Sequence, residues 1–84
     1  MANTKVTLKL RNTTADALEV VLEPWTGQYR LPPGVAFDVV AEGDISLPLE
    51  VEIFEGRIIV YSFDSEGADM DIFHNGQKVD QGWP

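Results

Sequence analysis

Alternation of apolar and polar residues with a period of two runs through most of this chain. In the segment "KVTLKL", Val6, Leu8 and Leu10 share one side of an extended strand, and the lysines and the threonine share the other. The segments "ALEVVLE" and "VAFDVVA" repeat the pattern, and no window of a dozen residues shows a convincing helical period. The sequence therefore predicts an all-β protein.

Turn signals divide the chain into short strands. Pro33-Gly34 is typical of a type II turn, Glu55-Gly56 of a tight hairpin and Asn75-Gly76 of a type I′ turn. Seven or eight strands are predicted, at 4–11, 17–23, 28–31, 35–41, 48–54, 57–63, 69–74 and 77–80. This spacing indicates a small antiparallel β-sandwich or a partly closed barrel, formed by a single domain over residues 1–84.

The hairpin at residues 55 and 56 predicts which side chains share a face. A two-residue loop places Phe54 opposite Arg57 and Val51 opposite Val60. One face is then predicted to be core, with Leu49, Val51, Ile53, Ile58 and Val60. The other face forms a predicted interaction surface of Phe54, Ile59, Tyr61, Phe63, Glu50 and Glu52. A strand that is apolar on both sides is covered on both sides, so we expect this second face to contact the rest of the fold or a partner.

The hairpin at Asn75-Gly76 predicts a less favourable pairing. Its register places Phe73 opposite Lys78, Ile72 opposite Val79 and Asp71 opposite Asp80. Two carboxylates directly opposite one another repel.

Trp25 follows a strand and precedes Gly27, and it allows two interpretations. Exposed aromatic side chains such as Trp25 and Tyr29 could form a platform for a sugar ring. Large aromatic residues in a small domain are more often part of the core. We therefore expect Trp25 to be buried against inward residues such as Leu22, Leu31 and Phe37.

The same segment resembles a pattern found in short, uncharacterised bacterial β proteins, in which "LEPWG" precedes a tyrosine, a Pro-Gly turn and another strand. The matching residues are Leu22, Glu23, Pro24, Trp25, Tyr29, Leu31, Pro33, Gly34, Phe37, Val39 and Val40. Thr26 departs from the pattern, because a glycine is expected there. The resemblance covers about a quarter of the chain and implies a small β domain without a known activity. The opening strands also look like those of Ig-like or cupredoxin-like sandwiches.

Charge excludes two classes of partner. The net charge is −8, and all of it arises in residues 42–84, which hold ten acidic and two basic residues. A field of this sign repels phosphate backbones and anionic lipids, so neither nucleic acid nor membrane is an expected partner. A protein partner or self-association is expected instead. The N-terminal segment does not resemble a signal peptide, and the default location is the cytoplasm.

The residues that could carry chemistry are few. The chain has no cysteine and one histidine, His74, and it contains neither a Gly-x-Ser-x-Gly motif nor a phosphate-binding glycine loop. A blue copper site needs two histidines and a cysteine, so the likeness to cupredoxins stops at the fold. No cofactor is predicted. Oxygen ligands for a hard cation could come from Asp64, Asp69, Asp71 and Asp80.

The sequence thus predicts a small, acidic, non-catalytic interaction module that could also assemble as a homo-oligomer. The alternative is a ligand-binding domain for a carbohydrate or a hard metal ion.

Overall fold

The computed structural model describes residues 4–83 and shows an all-β protein with eight strands. The strands are β1 (Thr4–Arg11), β2 (Leu18–Glu23), β3 (Gly27–Leu31), β4 (Ala36–Gly43), β5 (Glu50–Phe54), β6 (Arg57–Tyr61), β7 (Asp69–His74) and β8 (Gln77–Lys78). Every predicted strand is present, and its ends differ from the prediction by two residues at most. Among the described residues, no helix is long and apolar enough to cross a bilayer.

The strands form two four-stranded sheets. The first sheet has the order β1-β4-β7-β8, and the second has the order β3-β2-β6-β5. All neighbouring strands are antiparallel except β2 and β6, which run parallel. The fold is therefore a small open sandwich with mixed pairing in one sheet.

The core lies between the inward faces of the two sheets. In β4, Phe37, Val39 and Ala41 are fully buried, and the residues between them are only half-buried. The second sheet contributes Val20 and Val60, which are also fully buried. The alternation that predicts the strands therefore also identifies the buried face of the central ones.

Both predicted hairpin turns are confirmed. Glu55 and Gly56 have φ values of 43° and 79°, and Asn75 and Gly76 have values of 51° and 81°. Two successive residues in the left-handed region define a type I′ turn, whose twist matches that of the flanking strands. The predicted pairs of Phe54 with Arg57 and Val51 with Val60 are formed.

The predicted pairing of Asp71 with Asp80 is wrong. Strand β8 ends at Lys78, although the amide of Val79 still donates a hydrogen bond of 2.8 Å to the carbonyl of Ile72. Asp80 therefore lies beyond the paired part of the hairpin, and the β7–β8 ladder does not place it opposite Asp71. Oδ1 of Asp71 lies 3.2 Å from Nζ of Lys78. This carboxylate raises the pKa of Lys78, first by hydrogen bonding and then by its charge.

The predicted core face of the β5–β6 hairpin is only half correct. Val60 is fully buried, and Leu49 and Ile58 pack against the core. Val51 and Ile53 point to the same side as Val60 and Ile58 but are 37% and 77% exposed. Strand β5 is the edge of its sheet, and the first sheet does not cover it.

One buried polar side chain holds the connections at one end of the sandwich. Asn12 follows β1 and is fully buried. Its Nδ2 donates to the carbonyls of Asp16, at 2.8 Å, and Leu31, at 3.0 Å. Its Oδ1 accepts from the amide of Thr14 at 2.9 Å and from the Thr14 hydroxyl at 2.7 Å. These bonds fix the crossing from β1 to β2 against the end of β3.

Candidate functional site

Trp25 is exposed, so the prediction that it is buried in the core is wrong. The side chain is 44% exposed. Leu22 of β2 pairs with Gly27 of β3, and this is the last pair between the two strands. Trp25 lies in the short loop that joins the strands beyond this pair. The amide of Thr26 donates to Oε1 of Glu23 at 3.2 Å and so closes this loop. The indole is therefore presented at the surface.

Thr26 holds the Trp25 loop in a conformation that favours glycine. Its φ is 56°, in the left-handed region where side chains with a Cβ are strained. This is the position where the bacterial pattern has a glycine. The threonine hydroxyl donates to the carbonyl of Trp25 at 2.6 Å, which adds a local bond to this turn.

Trp25 borders a surface cleft of about 730 Å³, which we call the Trp25 cleft. Its lining includes the charged and aromatic side chains of Glu23, Trp25, Glu50, Tyr61 and Asp64. None of the described residues that line it carries a positive charge. Three carboxylates and the aromatic rings of Trp25, Tyr61 and Phe63 therefore line one opening.

The pairing of three strands explains how these side chains meet. Tyr61 lies at the end of β6, opposite Glu50 of β5 and opposite Glu23 of β2. All three side chains point away from the core, so an aromatic ring stands between two carboxylates in one row. The row depends on the parallel pairing of β2 with β6, which joins segments far apart in sequence.

Tyr61 is held in this row by a hydrogen bond to a further acidic residue, Glu52. Its hydroxyl donates to Oε1 of Glu52 at 2.9 Å. That hydrogen bond raises the pKa of Tyr61, and partial burial and the charges of Glu52, Glu50 and Glu23 raise it further. The phenol is thus kept protonated in a strongly negative field.

The segment between β6 and β7 forms the opposite wall of the cleft. The amide of Ser62 donates to the carbonyl of Glu23 at 3.0 Å, and the amide of Asp44 donates to Oγ of Ser65 at 3.3 Å. These bonds attach the segment to both sheets. Asp64 lies between the two attachment points and is exposed.

Phe63 does not belong to the outer face predicted for it. Strand β6 ends at Tyr61, and the chain then bends so that Phe63 is only 4% exposed. A Cβ placed on Gly43 would lie 3.0 Å from its ring, so the two segments are in close contact. Phe63 forms the apolar floor of the Trp25 cleft and is part of the core.

The rest of the predicted interaction surface stays on the outer face. Ile59 and Tyr61 are half-buried, and Phe54 is 48% exposed. The guanidinium carbon of Arg57 lies 5.9 Å from the centre of the Phe54 ring, and Nε of Arg57 lies 2.6 Å from Oε1 of Glu19. Phe54 therefore already has a cationic neighbour, whereas the Trp25 cleft does not.

Tyr29 and Trp25 do not line the same depression. Tyr29 lies in a separate hollow of about 380 Å³ at the free edge of β3, beside Gln28 and Gln81. Burial raises the pKa of Tyr29, and the charge of Asp71 contributes in the same direction. The predicted platform of two aromatic rings for a sugar is therefore not formed.

The four candidate metal ligands are not brought together. Asp64 borders the Trp25 cleft, Asp69 and Asp71 lie on β7, and Asp80 follows β8. Within residues 4–83, no group of three or more histidine, cysteine or acidic side chains is arranged to hold a metal ion.

His74 lies at a different site from the serines of the cleft. Its Nδ1 is 3.2 Å from the carbonyl of Ala36, and its ring centre is 5.0 Å from that of Trp83. Ser62 and Ser65 border the Trp25 cleft instead. The ring nitrogens of His74 lie next to Ala36 and Asn75, and neither Ser62 nor Ser65 is hydrogen-bonded to them.

No family model, no curated protein and no solved structure matches this chain. The resemblance to short bacterial β proteins and the likeness to Ig-like or cupredoxin-like sandwiches therefore stay predictions.

Sequence reasoning found Glu50 and Tyr61 as members of one surface but did not place them with Trp25, Glu23 or Asp64. The missing information is the parallel alignment of β2 with β6, which places Glu23 beside Tyr61. One local signal could have indicated that Trp25 leaves the sheet next to Glu23. Trp25 comes directly after Glu23-Pro24, and a proline at that point ends the strand. The carboxylates and aromatic rings of the assembled cleft are groups that can accept a positively charged side chain.

Proposed function

We propose that this protein is a non-catalytic interaction module that binds a positively charged segment of a protein partner in the Trp25 cleft. The observation that carries the proposal is the row of Glu50, Tyr61 and Glu23 next to the exposed indole of Trp25. A lysine or arginine side chain that enters this cleft would meet an aromatic face and two carboxylates at once.

The chemistry of the cleft favours a cation over a neutral ligand. A cation above the face of a tryptophan gains about 0.5–2 kcal/mol, and more of this energy is realised as the pair loses water. The phenol of Tyr61 stays neutral in the negative field, so its ring remains a suitable neighbour for a positive charge. The carboxylates supply charge-assisted hydrogen bonds.

The net charge of the protein supports the same class of partner. A value of −8 attracts basic segments from a distance and accelerates their association at low ionic strength. Long-range attraction does not by itself select a site. The aromatic pair at the cleft provides a local contact that distinguishes this site from the other acidic surfaces.

Pentalysine titrated into the protein by calorimetry tests the proposal. Trp25→Ala leaves the net charge unchanged, so any purely long-range attraction persists in this variant. We expect its affinity to fall by about 5- to 30-fold, which corresponds to the loss of about 1–2 kcal/mol. Equal affinity for the wild type and Trp25→Ala would contradict a role for the cleft.

Two further variants form a matched pair. Asp64→Asn removes one charge at the cleft, and Asp16→Asn removes one charge in an exposed loop between β1 and β2. Both changes have the same effect on net charge and the same chemistry. We expect Asp64→Asn to weaken pentalysine binding clearly more than Asp16→Asn does. Equal losses would indicate that only net charge matters.

A further inference from the structure

One side of the sandwich is flanked by two free strand edges, β1 and β5. The amide of Gln28 in β3 donates to Oε1 of Gln81, just after β8, at 3.0 Å. The β3 edge of the second sheet and the β8 edge of the first sheet therefore lie on the same side. Because β1 and β5 are the opposite edges of the two sheets, they flank the other side together.

The core is incompletely covered along this side. Val51 and Ile53 of β5 point inward but remain 37% and 77% exposed. The inward residues of β1 are Val6, Leu8 and Leu10, which pack against the core and are only partly buried. Exposed apolar side chains at an unpaired strand edge are a template for another strand.

The two edges carry opposite charges on their outward positions. Strand β1 presents Lys5, Lys9 and Arg11, which are half of the six basic residues in the chain. Strand β5 presents Glu50 and Glu52. The contact between Lys9 and Asp38 is exposed and measures 3.8 Å, so it leaves the lysine accessible.

We propose that a second copy of this chain docks on this side, with β1 of each copy paired to β5 of the other. The exposed apolar residues of both edges then join one continuous core, and lysines on one strand face glutamates on the next. Each sheet would be extended by four strands of the other copy. A twofold axis produces both contacts at once.

Strand direction and charge favour the pairing of β1 with β5 over the pairing of each strand with its own copy. Thr4 pairs with Gly43, and the chain continues from Gly43 into β5, so β1 and β5 both start at the same end of the sandwich. A twofold axis parallel to the strands keeps that direction and gives parallel β1–β5 pairs. An axis perpendicular to the sheets would pair β1 with β1 and β5 with β5. Like charges would then face each other across both pairs, which is unfavourable.

This interface is distinct from the Trp25 cleft, although Glu50 borders both. It does not depend on whether the cleft binds a cation. Trp25→Ala is therefore expected to leave self-association unchanged, which separates the two proposals experimentally.

Sedimentation velocity between about 10 and 500 µM protein tests the dimer. We expect the sedimentation coefficient of the wild type to rise toward that of a dimer with concentration. Ile53→Lys changes an exposed side chain, so the monomer should stay folded by circular dichroism, and the dimer dissociation constant should increase at least tenfold. A wild type that stays monomeric over the whole range would overturn the proposal, as would an Ile53→Lys variant that dimerises normally.

Charge exchange tests which strands meet. One variant carries Lys5→Glu and Lys9→Glu, another carries Glu50→Lys and Glu52→Lys, and a third carries all four changes. We expect the first two to be monomeric alone and to associate when mixed, and the third to dimerise by itself. Pairing of β1 with β1 would already place like charges opposite each other in the wild type, so the first two variants would then dimerise as well as the wild type does, and this result would contradict the β1–β5 interface.

Discussion

The indole of Trp83 packs against the ring of Phe37, with ring centres 5.2 Å apart and ring planes at 65°. Phe37 is fully buried, and Trp83 also contacts His74, so the penultimate residue of the chain closes one end of the core. Edge-to-face aromatic pairs of this kind add about 0.5–1.5 kcal/mol beyond the area that they bury. Trp83 thus takes the role that the sequence suggests for Trp25.

The two tryptophans should therefore differ in their effect on stability. Trp83→Ala removes a half-buried ring from the core, and we expect the free energy of unfolding to fall by about 2–3 kcal/mol. Trp25→Ala removes an exposed ring and should change it by less than about 1 kcal/mol. Urea denaturation followed by circular dichroism measures both values. A larger loss for Trp25→Ala than for Trp83→Ala would show that the core is closed differently.

Asn12 is expected to be the most sensitive polar position. Asn12→Ala leaves the carbonyl of Leu31 without its hydrogen-bond donor in a buried setting, and an unsatisfied buried group costs about 1–3 kcal/mol. With the bonds to Asp16 and Thr14 also lost, we expect a total loss of about 2–4 kcal/mol in urea denaturation. Thr14→Ala removes the hydroxyl and the methyl group of an exposed residue and should cost about 1 kcal/mol or less. Similar losses in both variants would contradict the role assigned to the buried amide.

Thr26 offers a stabilising substitution. The left-handed conformation costs a residue with a Cβ about 1–2 kcal/mol, and glycine loses about 0.5–1 kcal/mol through its greater freedom in the unfolded chain. Thr26→Gly should therefore raise the free energy of unfolding by about 0.5–1 kcal/mol. Thr13→Gly is the control, because Thr13 is exposed outside a strand and has no positive φ. We expect the control to lose stability, and a parallel loss in Thr26→Gly would show that the hydroxyl bond to Trp25 outweighs the strain.

Both tyrosines are expected to ionise above their usual pKa of about 10. Because the pKa is higher in the folded state than in the unfolded state, their contribution to stability is fully present below pH 10. It is lost as the pH rises through the folded-state pKa. Phenolate absorbance measured against pH checks this, with urea-unfolded protein as the reference. Glu52→Gln removes the charged acceptor and should return the Tyr61 pKa toward its ordinary value, while Tyr29 should not respond.

Local sequence signals predict the strands and the hairpin registers well. The Asn75-Gly76 and Glu55-Gly56 turns fix which residues face each other, because a two-residue loop allows only one register. Contacts between distant segments are not encoded in this way. The parallel pairing of β2 with β6 has no local signature, although it creates the row of Glu23 and Tyr61.

Burial is the least predictable property at the edges of the sandwich. Ile53 has the alternation of a core residue, yet the opposite sheet does not extend over it. Trp25 is large and apolar, but its loop ends beyond the sheet. Trp83 lies outside every alternating segment, so nothing in its neighbourhood indicates that it packs on Phe37. For each of these three residues, burial depends on how far another segment of the chain extends over the side chain.

The most direct test of the Trp25 cleft is a nuclear magnetic resonance titration with pentalysine. The two indole N–H groups give separate signals, one from Trp25 at the cleft and one from Trp83 at the core. We predict that pentalysine shifts the Trp25 indole signal and the amide signals of Tyr61 and Asp64 in a saturable way, while the Trp83 indole signal stays in place. Shifts confined to the acidic outer face around Glu42 and Asp69, with an unchanged Trp25 signal, would contradict binding in the Trp25 cleft.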